Sequence, residues 1–555
     1  MAASRTIEDI INSDTDNEGD FEGFSSESDI SVCSDLSDND SESESEVDQP
    51  RNDEWTKRFT PITVNDFTCE SGTKLPDSFD VNSASPLDYF WLLFSMELFV
   101  EIARNTNRYA KWRMDQTGTV DPYWTETTPN EIRAFIGMEI IMGINQLPDT
   151  MMYWSKNPLI GNAGIQDIMT ANRYQKVRQY FHVSDREKEP ARGHRDYDRL
   201  YKVRPILDHV TVSFLLNYNV GRELAVDEAM IRYSGKLSFR QYMPAKPIKR
   251  GIKVWMACDS NSSYLSRFQV YLGRSAVGVE HGLGFNVVSG LTNNIHGTYR
   301  HVYFDNFFTS IPLLEHLYEN GLYGCGTVRV NRRGFPTELK KPKEIKNRGE
   351  SMVMQKGDSN LIATVWKDKR LVHHLSTLNQ PDDIQPAQRR VGPTVLQLQQ
   401  PASVKSYNKY MGGVDQHDQL RMNYTVGRNS KKWWRYLFWF LVNCSIVNAF
   451  IMYKETSKRP RNKKRYTHID FRIELAQGLI SGYTGRKRKA SEIDCIPLVD
   501  SQNVSGHING KLSGPKGRCR YHLKTLGVRR ETVYGCTVCR VHLCRDGCHA
   551  RFHNL

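Results

Sequence analysis

Three aspartates, drawn from stretches far apart in the chain, constrain its fold more than any other feature. Asp227 closes Leu224-Ala225-Val226, Asp305 follows His301-Val302-Tyr303-Phe304, and Asp415 follows Gly412-Gly413-Val414. Each sits at or just after a short apolar run of strand character, where a side chain can leave a buried element and face a cleft. Carboxylates brought together from distant segments repel one another unless a cation neutralises them. The natural tenant is a pair of Mg²⁺ ions about 4 Å apart, with Mn²⁺ as a substitute, a site suited to phosphodiester chemistry. Asp418 is three residues beyond Asp415 and shares its face if that segment is helical, so it is a candidate additional ligand. Glu228 is expected to point away from Asp227 if their segment is a strand. The chain has 63 acidic residues, so position alone does not single these out.

Their surroundings do. After Asp227 come Gly235-Lys236, then Arg240-Gln241-Tyr242-Met243-Pro244-Ala245-Lys246-Pro247, then Gly251-Ile252-Lys253. Around the second aspartate runs Phe304-Asp305-Asn306-Phe307-Phe308-Thr309-Ser310-Ile311-Pro312. Around the third runs Tyr407-Asn408-Lys409-Tyr410-Met411-Gly412-Gly413-Val414-Asp415-Gln416-His417-Asp418-Gln419. In this order the sequence resembles the piggyBac superfamily of DNA transposases, over roughly residues 85 to 470. The resemblance implies cut-and-paste transposition in which Asp227, Asp305 and Asp415 hold two Mg²⁺. One ion activates water and then a DNA 3′-hydroxyl, and the other stabilises the leaving 3′-oxygen. It also implies hairpin formation at the excised end, insertion at TTAA, precise repair of the donor site, and a homodimer bridging two transposon ends. A catalytically silent, host-recruited descendant that binds DNA or chromatin is the alternative.

Charge fits a polyanion partner. Residues 1–50 hold 16 Asp/Glu against Arg5 alone, a balance of −15, so a whole-chain charge of +12 leaves +27 on the rest. A strongly basic body suits double-stranded DNA, both transposon ends and target. Candidate contacts are Arg240, Lys246, Lys249, Arg250 and Lys253, and the basic and indole run Lys431, Lys432, Trp433, Trp434 and Arg435. Basic residues interleaved with indoles can grip phosphate and stack on bases, although the two Trp could equally begin an apolar helix. That helix, Tyr436 to Met452, barely reaches membrane length and is interrupted by Asn443, Ser445 and Asn448; it is expected to be a buried core helix, with no membrane partner. The acidic, polar N-terminus does not read as a secretory leader. Clusters at 458–465 and 486–489 read as nuclear import signals or phosphate contacts, which places the chain in the nucleus.

The fold class expected is α/β. Residues 1–82 read as a disordered acidic tail. Residues 83–222 and 425–485 read as mostly α-helical, and the resemblance implies that they are the two parts of a DNA-binding and dimerisation domain. An RNase H-like catalytic core spans 223–330 and returns at 401–424 for the third aspartate, with a β-rich insertion at 331–400 between them. Within these, Tyr89 to Val100 reads as a single core-facing helix, and Thr128-Pro129-Asn130-Glu131 as the start of the next.

A basic linker, 486–517, leads to a cysteine-rich module at 518–555. Five of the eleven cysteines lie in the last 37 residues. Cys519-x-x-His522, Cys536-x-x-Cys539, Cys544-x₃-Cys548 and His553 have the paired short spacings of tetrahedral Zn²⁺ sites. Seven ligands exceed one zinc and two need eight, so His542 or His549 completes the set. A cross-brace, in which alternate pairs share an ion, fits this density and resembles the family's cysteine-rich domain. Two structural Zn²⁺ would fold a segment too small for its own core. Arg529 and Arg530 are its candidate DNA contacts.

Overall fold

A computed structural model of the chain describes residues 55–244, 246–273, 282–457, 466–483, 485, 509–545 and 547–553. The acidic tail up to residue 54 and the basic clusters 458–465 and 486–489 lie outside these residues. The chain divides into two compact units, Met1–Arg486 and Lys487–Leu555.

The first unit begins with a strap that composition had assigned to the tail. β1 (Trp55–Thr56) pairs antiparallel with a later strand, and β2 (Gly72–Thr73) pairs with β3 (Tyr218–Asn219). Between them the backbone borrows partners from the body: Thr60 N donates to Gln355 Oε1 at 2.8 Å and Asn65 N to Tyr323 Oη at 2.7 Å. The segment has few apolar groups to bury, so hydrogen bonds to side chains hold it down, and residues 55–82 belong to the folded body.

Helices follow. The expected single helix at Tyr89–Val100 is two, Pro86–Leu93 and Met96–Thr117. The break falls at Ser95, whose extended backbone (φ −69°, ψ 164°) caps the second. Helix Pro129–Ile144 starts as its sequence dictates: Thr128 accepts a hydrogen bond from Glu131 N, and Pro129 occupies the first turn, where no amide partner is needed.

The centre is one mixed sheet. β4 (Glu223–Arg232), β5 (Gln241–Tyr242), β6 (Arg250–Asp259) and β7 (Leu265–Val270) are joined antiparallel through β6, which pairs with each of the other three. On the other side of β4 lie β8 (His301–Phe304) and then β9 (Tyr323–Thr327), both parallel to it. Helices Leu283–Thr292 and Ile311–Glu319 make the crossovers that parallel pairing demands. Ser310 accepts from Leu313 N to start the second of these.

The residues expected as an insertion do not form a separate sheet. β10 (Ser351–Lys356), β11 (Ile362–Lys367) and β12 (Leu371–Ser376) continue the central sheet beyond β9, ending at β1. Only β13 (Ile384–Val391) and β14 (Thr394–Pro401) stand apart as a hairpin. The chain then returns through helix Gly413–Met422 to the long helix Trp433–Thr456. That helix is long and apolar enough to cross a membrane by composition, yet 94% of its most apolar window is buried inside the body. Phe94, Phe135 and Phe181 pack on its aromatic side chains.

Candidate active site and metal-binding groups

The parallel register of β4 and β8 makes the site. Val226 stands opposite Phe304, so the next rung carries Asp227 on one strand and Asp305 just past the end of the other. With β8 finished, β4 has an open edge from Asp227 onward. Asp227 and Glu228 leave β4 on opposite faces, but at that edge Glu228 curls back. Oxygens of Asp227, Glu228 and Asp305 lie within 4.8 Å of one another. The expectation that Glu228 points away therefore fails: β4 stays paired with β6 at Glu228 but has lost β8, and the longer glutamate side chain reaches the other two carboxylates. Glu228 N also donates to Asp227 Oδ1 at 2.7 Å, and Phe307 N fixes Asp305 Oδ1 at 2.9 Å.

Asp415 arrives on an element of a different type. It lies in the first turn of helix Gly413–Met422, exposed, rather than at a strand end. That helix comes close to β4 because Gly413 has no side chain: a Cβ there would lie 3.0 Å from Asp259 O and 3.2 Å from Ala225 Cβ. His417 Nδ1 donates to Ser263 O at 3.0 Å and locks the helix to the turn after β6. Asp418 does share this helix, but its carboxylate is paired with Arg421 at 2.9 Å.

The cluster is electrostatically costly by itself. Burial, and then the charge of Glu228, raises the Asp227 carboxyl well above the usual range, and the same two causes raise Asp305. Burial pushes Glu228 up too, but Lys253 and Lys246 outweigh it and hold that carboxyl below its ordinary value. Lys246 Nζ lies 2.9 Å from Glu228 Oε1. Lys253 is buried with its Nζ 3.7 Å from the centre of the Trp255 ring, and burial lowers its pKa to about 8 despite the nearby carboxylates. Crowded, desolvated oxygens of this kind are the donor set hard divalent cations take. The residues present therefore fit such an ion.

A family described as Transposase IS4 matches residues 85–450. Human PiggyBac transposable element-derived protein 5 is 26% identical over 417 residues, covering 72% of this chain and 76% of that protein. Human PiggyBac transposable element-derived protein 3 is 25% identical over 503 residues, covering 87% and 78%. The chain belongs to the piggyBac family of transposases. A solved piggyBac transposase, in a synaptic complex with hairpin DNA, shares the fold with a TM-score of 0.66 at 26% identity, over 86% of this chain and 98% of that one. The large mixed sheet and its helices are thus a piggyBac architecture.

The second unit carries two groups that suit metal ions. Cys519, His522, Cys544 and Cys548 bring one ligand atom each within 4.8 Å of the others, as do Cys536, Cys539 and His553. First and third pairs share one group while the second pair joins His553, which is the cross-braced order. His522 Nδ1 is 3.3 Å from the sulfurs of both Cys519 and Cys548. Burial would raise the Cys519 thiol, but hydrogen bonds from His522 and Cys544 hold it down to about 6, while burial and its sulfur neighbours push Cys544 up to about 12. One tight thiolate among crowded thiols is a site that a cation relieves. Among the described residues the core of this unit is four cysteines and Leu543, so apolar packing supplies little and a bound metal would stabilise it. Its strands begin earlier than expected: Asn509–Lys511 pairs with Tyr534–Cys536 and Gly517–Arg518 with Glu531–Thr532, so residues 509–517 belong to the module rather than the linker.

The expected DNA contacts of this piggyBac chain divide into two sets. Lys249, Arg250, Lys431, Arg529 and Arg530 are exposed, and Arg250 lies over Tyr242 at 5.3 Å. The others are committed within the fold. Trp434 is wholly buried and stacks on Phe181, Trp433 packs edge-on against Phe239, and Arg435 Nη2 donates to Arg178 O at 2.7 Å. Lys432 Nζ donates to Tyr109 Oη at 3.2 Å. Arg240 donates to the carbonyls of Ser234 and Gly235, and Lys246 and Lys253 face the carboxylates. Sequence reasoning also missed the turn after Asp305, where Arg332 Nη2 donates to Phe307 O at 2.5 Å and Arg329 Nε to Asn306 Oδ1 at 3.3 Å. The run Arg329 to Arg333 just past β9 was the available signal.

Proposed function

We propose that this chain is a cut-and-paste DNA transposase that excises and integrates a DNA transposon, with TTAA as its target, through divalent-metal phosphodiester hydrolysis and strand transfer. The observation that carries this reading is the register that sets Asp227 beside Asp305 at the open edge of β4. Two Mg²⁺ held by Asp227, Asp305 and Asp415 would supply the activated water or 3′-hydroxyl and a partner for the departing 3′-oxygen. Glu228 adds charge to the cluster, and Asp418 pairs with Arg421, whose guanidinium lies over the Phe440 ring of the long helix at 4.8 Å. Antiparallel β4, β6 and β7 followed by parallel β8 and β9 support an RNase H-like description of the core.

Two Zn²⁺ would fold the cysteine-rich unit. His549 and His542 each keep a buried ring nitrogen without a hydrogen-bond partner; His549, whose ring centre is 4.8 Å from that of His553, is the better eighth ligand, while His542 packs over Gly517. Exposed Lys249, Arg250, Lys431, Arg529 and Arg530 would contact DNA phosphates, within a homodimer in the nucleus. The test is a labelled duplex carrying the element's own ends, incubated with Mg²⁺ and either the natural protein or Asp305→Ala. Cleavage by the first alone supports the proposal. Binding by both with cleavage by neither favours the second reading, a recruited DNA- or chromatin-binding descendant, which the transposable element-derived names of the human relatives support.

A further inference from the structure

The turn between β5 and β6 brings a cation back over the carboxylates. It is closed by Met243 N donating to Lys249 O at 2.8 Å and by Lys246 N donating to Met243 O at 3.2 Å. From it Lys246 reaches Glu228, and its side chain keeps 32% of its surface exposed. Burial would lower the pKa of this ammonium, yet Glu228, Asp227 and Asp415 together raise it. Asp415 is the aspartate that does not join the other three oxygens. The Lys246 ammonium at Glu228 thus sits beside the strand-borne oxygens that would hold a divalent ion.

Lys253 differs. It is rooted in the middle of β6, 3% exposed, with its ammonium 3.7 Å from the centre of the Trp255 ring and 5.1 Å from that of Phe307, beside the stacked pair. Its strand and its aromatic partners keep it in place. Lys246, on a turn with a path to solvent, is the group that can leave.

We propose that Lys246 is an exchangeable internal counter-ion: it holds the acidic cluster together in the metal-free protein and must withdraw from Glu228 for a divalent cation to bind. This rests on the reading of the cluster as a metal site. Withdrawal would return Lys246 to the turn that also bears exposed Lys249 and Arg250. Metal loading would then free a third positive charge on that turn for a polyanion.

Mn²⁺ binding to the full zinc-loaded chain, followed by the electron paramagnetic resonance of free Mn²⁺, tests this. Lys246→Gln should tighten Mn²⁺ binding roughly tenfold, since it removes a unit positive charge a few ångströms away. Lys246→Arg should bind as the natural protein does, and Asp305→Asn should bind more weakly than any of them. In the unaltered chain, acetylation of Lys246 read by peptide mass spectrometry should rise when Mn²⁺ is added; this arm does not depend on a variant folding. Unchanged labelling, or Lys246→Gln binding no tighter while Asp305→Asn still loses Mn²⁺, overturns the proposal and leaves the metal reading standing. Mn²⁺ binding indifferent to Asp305→Asn overturns both.

Discussion

At the scale of single residues, the site is a balance of like and unlike charges, and each term has a signature in pH. Burial depresses Lys253 to about 8 from 10.5. Between those values the unfolded chain holds the proton that the folded chain has released, so stability rises with pH across that window. The rise is on the order of 3 kcal/mol at about 1.4 kcal/mol per unit. Thermal melts of the metal-free protein from pH 8 to 10.5 should show it, and Lys253→Met should flatten it. Asp227 has the opposite sign: its folded pKa is raised, so above the usual carboxylate range the folded state loses stability as pH rises. Asp227→Asn should remove that loss, and divalent metal should offset it. At Trp434 the same kind of argument separates packing from DNA contact. Trp434→Ala should cost about 3–5 kcal/mol of stability in a denaturant titration. Lys431→Ala, at an exposed position, should weaken DNA binding in low salt with its denaturation midpoint unmoved.

At the scale of elements, the aspartates were legible but their settings were only partly so. The strand around Asp227 and the strand before Asp305 follow from their β-branched and apolar runs. Asp415 was expected at or just after a short apolar run of strand character, with a helix left open for the segment it shares with Asp418. It lies in a helix that Gly413 allows to sit against β4, a tertiary contact no local pattern encodes. Glu228 was misjudged for a related reason: alternation predicts opposite faces along a paired strand, and β4 loses one partner at that point. The basic residues after Asp227 read as DNA contacts because charge is visible in sequence and its counter-charge, brought by folding, is not. Gly251 is a further element-level demand. A Cβ there would meet Ile231 O at 1.9 Å, across the ladder that aligns Asp227. Gly251→Ala should destabilise the body by at least about 3 kcal/mol in a denaturant titration, far above the ordinary cost of a strand alanine.

At the scale of the whole molecule, two units rest on different physics. The body buries a continuous core running from the helices through the sheet to Trp433–Thr456. Among the described residues the cysteine-rich unit has a core of four cysteines and Leu543, a donor set that suits metal. Chelation should therefore raise amide exchange throughout residues 509–553 while leaving the exchange of β4, β6 and the long helix unchanged. The split of −15 and +27 along the chain makes a separate prediction. Deletion of residues 1–50 should tighten nonspecific duplex binding at low salt, with the gain fading as salt screens it; unchanged affinity would show that the acidic segment does not compete with DNA. Overall architecture was more legible than domain limits. The sheet was foreseen, but the strap 55–82 and the strands 351–376 join it through hydrogen bonds to distant partners that composition cannot reveal.

The central claim is that Asp305 holds a divalent cation during DNA cleavage, and replacing its oxygen ligand with sulfur tests it most directly. Asp305→Cys should lose cleavage of an end-bearing duplex in Mg²⁺ and regain it in Mn²⁺ or Cd²⁺, because a thiolate favours the softer ions. Cleavage by Asp305→Cys in Mg²⁺ at the natural rate, or an unaltered protein that binds the duplex but never cuts it, would contradict the account.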